Sequence, residues 1–261
     1  MKLIFSLLFA LTLLTTGTTT SIAAGTSCDS MTKFGKPIVY TPPTSPPTYL
    51  CRRLYVLEHS ATRKTAFWVA EHIYGKDLGV SETRVNAFKA DPDLPKNEAA
   101  TPADYKKSGY DQGHMAPVGN MHKDKAAMLE SFYLSNMVPQ HPKNNRDGWN
   151  HLESYIREMA QVRTELYVIT GPIYSCKDLP CKTIGPNKVQ VPTHLYKIVY
   201  DPHKHVALSF IVPNQPFTLL EANKFISTVD AIEELTLIKF FPTSIAPIFN
   251  SKKMWTAKTS D

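Results

Sequence analysis

The chain has 261 residues, 43% apolar, 20% charged and 10% aromatic, which is enough to bury a full core. That apolar content excludes a disordered tail protein, and only 11 glycines exclude a collagen-like or low-complexity chain. Twenty-nine Lys and Arg against 23 Asp and Glu leave a formal charge of +6, compatible with an anionic partner without identifying one.

In chain order, Met1-Lys2, the apolar run Leu3 to Leu14 and the small residues Ser21-Ile22-Ala23-Ala24 read as a secretory signal peptide over residues 1–24. The run is shorter than the ~20 apolar residues a membrane span needs. A secreted or periplasmic protein with no membrane segment after cleavage is expected. Cys28, Cys51, Cys176 and Cys181 all follow that site, so two disulfides are expected. Three pairings exist; the sequence-local one, Cys28 with Cys51 and Cys176 with Cys181, is preferred. Zinc is disfavoured because no Cys-x-x-Cys pair occurs.

Residues 25–50 read as an extended arm, with Thr41 to Pro47 polyproline-like. Residues 51–261 read as one domain. Leu54 to His59 and Thr65 to Tyr74 form a predicted hairpin across Ala61-Thr62-Arg63. Residues 75–108, with Pro92, Pro95 and Pro102, form a long loop of the kind that covers a site. Helices are predicted over Asp124 to Leu134, Asp147 to Val162 and Val229 to Thr236. Strands are predicted over Leu166 to Ile173, His194 to Tyr200, Val206 to Val212 and Leu237 to Phe241. The fold class is therefore α+β, a mixed sheet core with packed helices.

The chemistry concentrates between residues 110 and 157. Tyr110-Asp111-Gln112-Gly113-His114-Met115-Ala116-Pro117 comes first, then Ser135-Asn136-Met137-Val138-Pro139-Gln140. Asn144-Asn145-Arg146-Asp147-Gly148-Trp149-Asn150-His151-Leu152-Glu153 follows, and Arg157 after it. Trp149, Leu152, Ile156 and Met159 recur at helical spacing, which places Glu153 near the buried side and Arg157 one turn on, in reach of an i,i+4 pair. Taken alone, that helix is an ordinary capped helix with an ion pair. His114 is a proton acceptor near neutral pH, between a glycine and a proline. The other eight histidines carry no such context.

Together these segments resemble the DNA/RNA non-specific endonucleases, the ββα-metal (His-Me finger) nucleases with a signature Asp-Arg-Gly-His. Thr65 to Ala70, Thr83-Arg84, Asp91-Pro92, Thr101 to Tyr105, Ile169 to Pro172 and Val229 to Glu233 extend the resemblance over most of the chain. It implies a ββα-metal motif within the fold. It implies His114 as general base, Asn145 as the direct protein ligand of Mg2+ (or Mn2+), and Glu153 on a metal-bound water. Asn136 would organise the same waters, and Arg84 and Arg157 would contact phosphate. The implied reaction is hydrolysis of DNA and RNA phosphodiesters to 5′-phosphate and 3′-hydroxyl ends, with little sequence preference. A homodimer is compatible with the resemblance, and nothing in the sequence marks an inhibitor protein.

The chain departs from the family at two places. Gln112 stands where the signature has arginine, at a position expected to face substrate; a neutral amide replaces a fixed, forked cation. Catalysis is expected to be retained with an altered rate or salt response, and the rival reading is a nucleic-acid-binding protein with reduced or lost catalysis. The family's late Thr-Gly is Thr236-Leu237 here, a change expected to affect a turn.

Overall fold

The computed structural model describes residues 28–40, 46–79, 83–176, 181–242 and the backbone of 249–250. The expected signal peptide lies outside them. The strands in chain order are β1 (Ile38–Val39), β2 (Thr48–Cys51), β3 (Val56–Ser60), β4 (Thr65–Tyr74), β5 (Asp111–His114), β6 (Met137–Gln140), β7 (Glu165–Ile173), β8 (Thr183–Ile184), β9 (Val189–Gln190), β10 (His194–Asp201), β11 (Val206–Pro213), β12 (Ile226–Ser227), β13 (Ile238–Lys239) and β14 (Phe249–Asn250). The α-helices are α1 (Pro102–Tyr105), α2 (Lys125–Ser131), α3 (Asn150–Arg163) and α4 (Val229–Thr236).

The long β-branched and aromatic runs build one sheet in the order β12-β11-β10-β7-β4-β3-β2, antiparallel throughout, with β14 parallel to β11. Side chains alternate across it, as a pleated strand requires. Leu166 and Val168 of β7 and Leu195 and Val199 of β10 join one core, under Met115, Met121, Trp149, Leu152 and Ile156. Tyr167, Ile169, Tyr196 and Ile198 join a second core on the opposite face, with Met31, Phe34, Val229, Ile232 and Phe240. The sheet is thus covered on both sides. The face under α3 carries the polar exceptions Glu71, Thr170 and Lys197, all buried.

The hairpin β3–β4, strands β7, β10 and β11, and helix α4 lie where the hydrophobic pattern places them. Other elements differ for identifiable reasons. The expected strand Leu237 to Phe241 shrinks to β13, which pairs with β1 outside the main sheet. There Leu237 takes a left-handed turn (φ 57°), and the Phe240 amide donates to Glu233 Oε1 (2.9 Å) instead of to a ladder. The arm ends in β2, the edge strand of the main sheet, so the expected boundary after residue 50 falls inside a strand. Asp124 caps α2 from outside, its carboxylate accepting from the Ala126 and Ala127 amides. The helix expected from Asp147 begins as a wide turn at Asn144–Trp149 and becomes α-helical only at Asn150. Both disulfides, Cys28–Cys51 and Cys176–Cys181, form in the sequence-local pairing, which leaves no free thiol for zinc among the described residues.

Candidate active site

Strands β5 and β6, a hairpin closed by residues 115–136 with α2 between them, carry the motif residues onto the face of the sheet. Gly113 pairs with Val138 and His114 with Met137. Glycine is required at 113, because a Cβ there would lie within the buried Gln140 amide, 2.6 Å from the Gln140 Cβ. Gln140 in turn donates to Asn144 Oδ1 (2.7 Å), and Asn144 Nδ2 donates to the carbonyls of Pro213 and Gln215 (2.8 Å each). Asn214 closes the same joint, accepting from the His141 amide and donating to the carbonyls of Pro139 and Pro192. This buried amide network fixes the turn that presents Asn145.

A cavity of about 820 Å³ opens over these residues, and His114, Gln112, Asn145, Glu153, Arg84 and Arg157 all line it. Asp111, Arg146 and Lys106 complete its charged lining, so cations outnumber carboxylates around it. The His114 ring packs edge-on to Phe132, 5.1 Å between centroids. Its Nε2 is buried and has no hydrogen-bond partner among the described residues. Burial, then the Arg84 charge, lowers its pKa to about 3, so the imidazole is neutral at neutral pH. Arg84 is oriented by a bond from Nε to Asn86 Oδ1 (2.8 Å).

Glu153 and Arg157 project from α3 but make no direct ion pair with each other, contrary to the i,i+4 expectation. Arg157 instead donates to Ser154 Oγ (2.7 Å) and Asn120 Oδ1 (3.5 Å). Asn120 donates onward to Glu71 Oε1 (3.0 Å). Gly119 leaves room for this guanidinium, whose Nη1 would be 2.8 Å from any Cβ there. Burial raises the Glu153 pKa to about 7, against the opposing charges of Lys197 and Arg157. Lys197 lies in the sheet floor, donating to Thr170 Oγ1 (2.7 Å) with its ammonium 4.8 Å from the Trp149 ring centroid. Burial lowers its pKa and raises that of Glu71.

Asn136 is the expected site residue that does not line the cavity. It is fully buried: Oδ1 accepts from the Ala116 amide, and Nδ2 donates to the carbonyls of Ala116 and Ser131, each at 2.9 Å. Its amide bonds backbone on both sides, so it positions the strand end behind His114. Glu71, Asn120, Lys197 and Arg146 were not singled out from sequence. Glu71 and Lys197 carry a readable signal, each being a charge inside an otherwise apolar strand run.

A profile of the family described as DNA/RNA non-specific endonuclease matches residues 38–244. The chain belongs to that family. Among relatives of this DNA/RNA non-specific endonuclease chain, Nuclease EXOG, mitochondrial, of Danio rerio is 37% identical over 202 residues, 72% of this chain and 59% of that protein. Endonuclease G, mitochondrial, of Caenorhabditis elegans is 36% identical over 218 residues, 76% of this chain and 71% of that one. Nuclease C1 of Cunninghamella echinulata var. echinulata is 35% identical over 212 residues, 74% and 82% of the two chains. The chain thus spans less than two thirds of the EXOG relative. A solved complex of EndoG with EndoGI, described as showing the mechanism of EndoG inhibition, superposes with a TM-score of 0.73 at 30% identity, covering 85% of this chain and 94% of that one. The expectation of a secreted or periplasmic location is overturned here: the EXOG and endonuclease G relatives are named mitochondrial, and they point there instead. An apolar leader read without relatives could not make that distinction.

Proposed function

We propose that this chain is a metal-dependent, sugar-non-specific endonuclease that hydrolyses DNA and RNA phosphodiesters, in a single nuclease domain to which the end of the arm contributes β2. The observation that carries this is that His114, whose Nε2 has no hydrogen-bond partner among the described residues, and Asn145 line one basic cavity. Arg84 and Arg157 bind non-bridging phosphate oxygens and offset the charge that builds in the transition state. Neutral His114 accepts a proton as a water oxygen attacks phosphorus. The bond from phosphorus to the 3′-oxygen breaks, its electron pair stays on that oxygen, which takes a proton from a water molecule, and the products end in 5′-phosphate and 3′-hydroxyl.

The family is one of metal-dependent nucleases, and the residues present fit a hard dication. Asn145 Nδ2 is committed to Asp111 Oδ2 (3.0 Å), which turns the amide oxygen out as a free ligand. Asn145 would hold Mg2+, with Mn2+ able to replace it, and Glu153 would hold a water of its shell. Bound there, such an ion supplies charge neutralisation at the phosphate.

Plasmid nicking by the purified chain, with Mg2+ or with EDTA, is the test. Mg2+-dependent cutting abolished by His114→Ala supports the reading. A folded chain that binds DNA in a salt-dependent way yet never cuts, across several metals, would favour the second reading prompted by Gln112: a nucleic-acid-binding protein with reduced or lost catalysis.

A further inference from the structure

At the cavity wall, Asp111 is the residue most tightly held. Arg146 forks onto it, Nε to Oδ2 at 2.8 Å and Nη2 to Oδ1 at 2.6 Å, while Asn145 donates to the same Oδ2. The Arg146 side chain is 72% exposed, and its Nη1 has no partner among the described residues. An exposed ion pair of this kind contributes little to stability. Its position is what distinguishes it, since Asp111, Gln112, Asn145 and Arg146 all border one cavity. The formal charge of this wall is Asp111 minus, Gln112 zero, Arg146 plus. Without Arg146 a bare carboxylate would face an incoming phosphodiester.

We propose that Arg146 is a substrate-binding residue that supplies at this wall the positive charge position 112 lacks, cancelling Asp111 and offering Nη1 to a phosphate oxygen. The assignment rests on the nuclease reading for its substrate. It approaches the wall from the Asn145 side, not from position 112 itself, so the replacement is of charge and not of shape. Charge bookkeeping then predicts a specific compensation. Arg146→Ala takes the wall to a net minus one, Gln112→Arg to plus one, and the double variant returns it to zero.

The test is a double-mutant cycle on the full chain. Binding of a fluorescein-labelled DNA duplex is followed by anisotropy in EDTA across a salt series, and cutting is measured separately with Mg2+. Arg146→Ala is expected to weaken binding about tenfold and lower the salt slope by about one, and Gln112→Arg in that background to restore both. The rate loss should fall on KM. Arg146→Lys keeps the charge without the fork and should keep the slope. Unchanged binding by Arg146→Ala, or failure of Gln112→Arg to restore binding and slope in that background, would overturn the proposal. So would loss of kcat at an unchanged slope, the mark of a residue that only steadies Asp111 and Asn145. If Arg146→Ala fails to fold, Gln112→Arg alone must steepen the slope and Arg146→Lys preserve it, or the proposal fails. A cycle that behaves as expected in EDTA while no variant cuts would retain Arg146 as a binding residue and reject the nuclease reading.

Discussion

Asn136 spends all of its amide on backbone, so removing it leaves the Ala116 amide and two carbonyls unpaired in a dry interior. Asn136→Ala is expected to cost about 2–4 kcal/mol, read as a fall in the denaturation midpoint. A second residue-scale outcome concerns His59. It is fully buried, with Nε2 on the Glu98 carbonyl (3.0 Å) and Nδ1 unpartnered. Burial lowers its pKa to about 4 from 6.5; the Glu98 carbonyl and Asp91 oppose that shift and Lys64 adds to it. Between those values the unfolded chain binds the proton and the folded chain does not. The contribution is therefore full above pH 6.5 and is lost as pH falls toward 4, by about 3 kcal/mol. Urea melts across that range should show a shallower pH slope for His59→Gln than for the parent. The sequence made Asn136 visible as a motif member but hid its role, since spacing cannot show where an amide is spent. Glu71 and Lys197 stand out as charges in apolar strand runs, but their meeting under α3 was hidden, since strands distant in sequence bring them together.

At the scale of elements, the hairpin β5–β6 holds His114 through one close backbone approach. Gly113→Ala drives a methyl into Gln140 and its bond to Asn144, and should cost at least ~2 kcal/mol along with most nicking activity. If both survive, the amide network is not what places Asn145. The end of α4 gives a prediction of opposite sign. Leu237 sits in the left-handed conformation that helix ends commonly give to glycine, and half its surface is exposed. Leu237→Gly should raise stability by up to ~1 kcal/mol in calorimetry and leave nicking unchanged. The family's glycine at this point was readable as a departure, and the backbone angle supplies its cause. Hairpin β5–β6 itself was not readable, because four-residue strands interrupted by Gly113 and Pro139 show no alternation to detect.

For the whole molecule, the fold class was legible because β3, β4, β7, β10 and β11 each carry a long apolar or alternating run. Their order was not, since β4 pairs with β7 across ninety residues of intervening chain. These two strands lie at the middle of the sheet, between both cores. Amides of β4 and β7 should exchange with deuterium last, and those of β1 and β13 early. Comparable protection at both places would mean that the two sheets unfold as one unit.

On the proposed nuclease reading, that topology bears on when the chain becomes dangerous to the cell that makes it. Every cavity residue named above has been synthesised once Arg157 is added. Yet Trp149, Leu152 and Ile156 lack the β7 and β10 part of their core until those strands exist, and Asn144 has no anchor until Pro213 and Gln215 emerge. A growing chain on the ribosome, surrounded by RNA, therefore carries the reactive groups for more than fifty residues before they can be assembled.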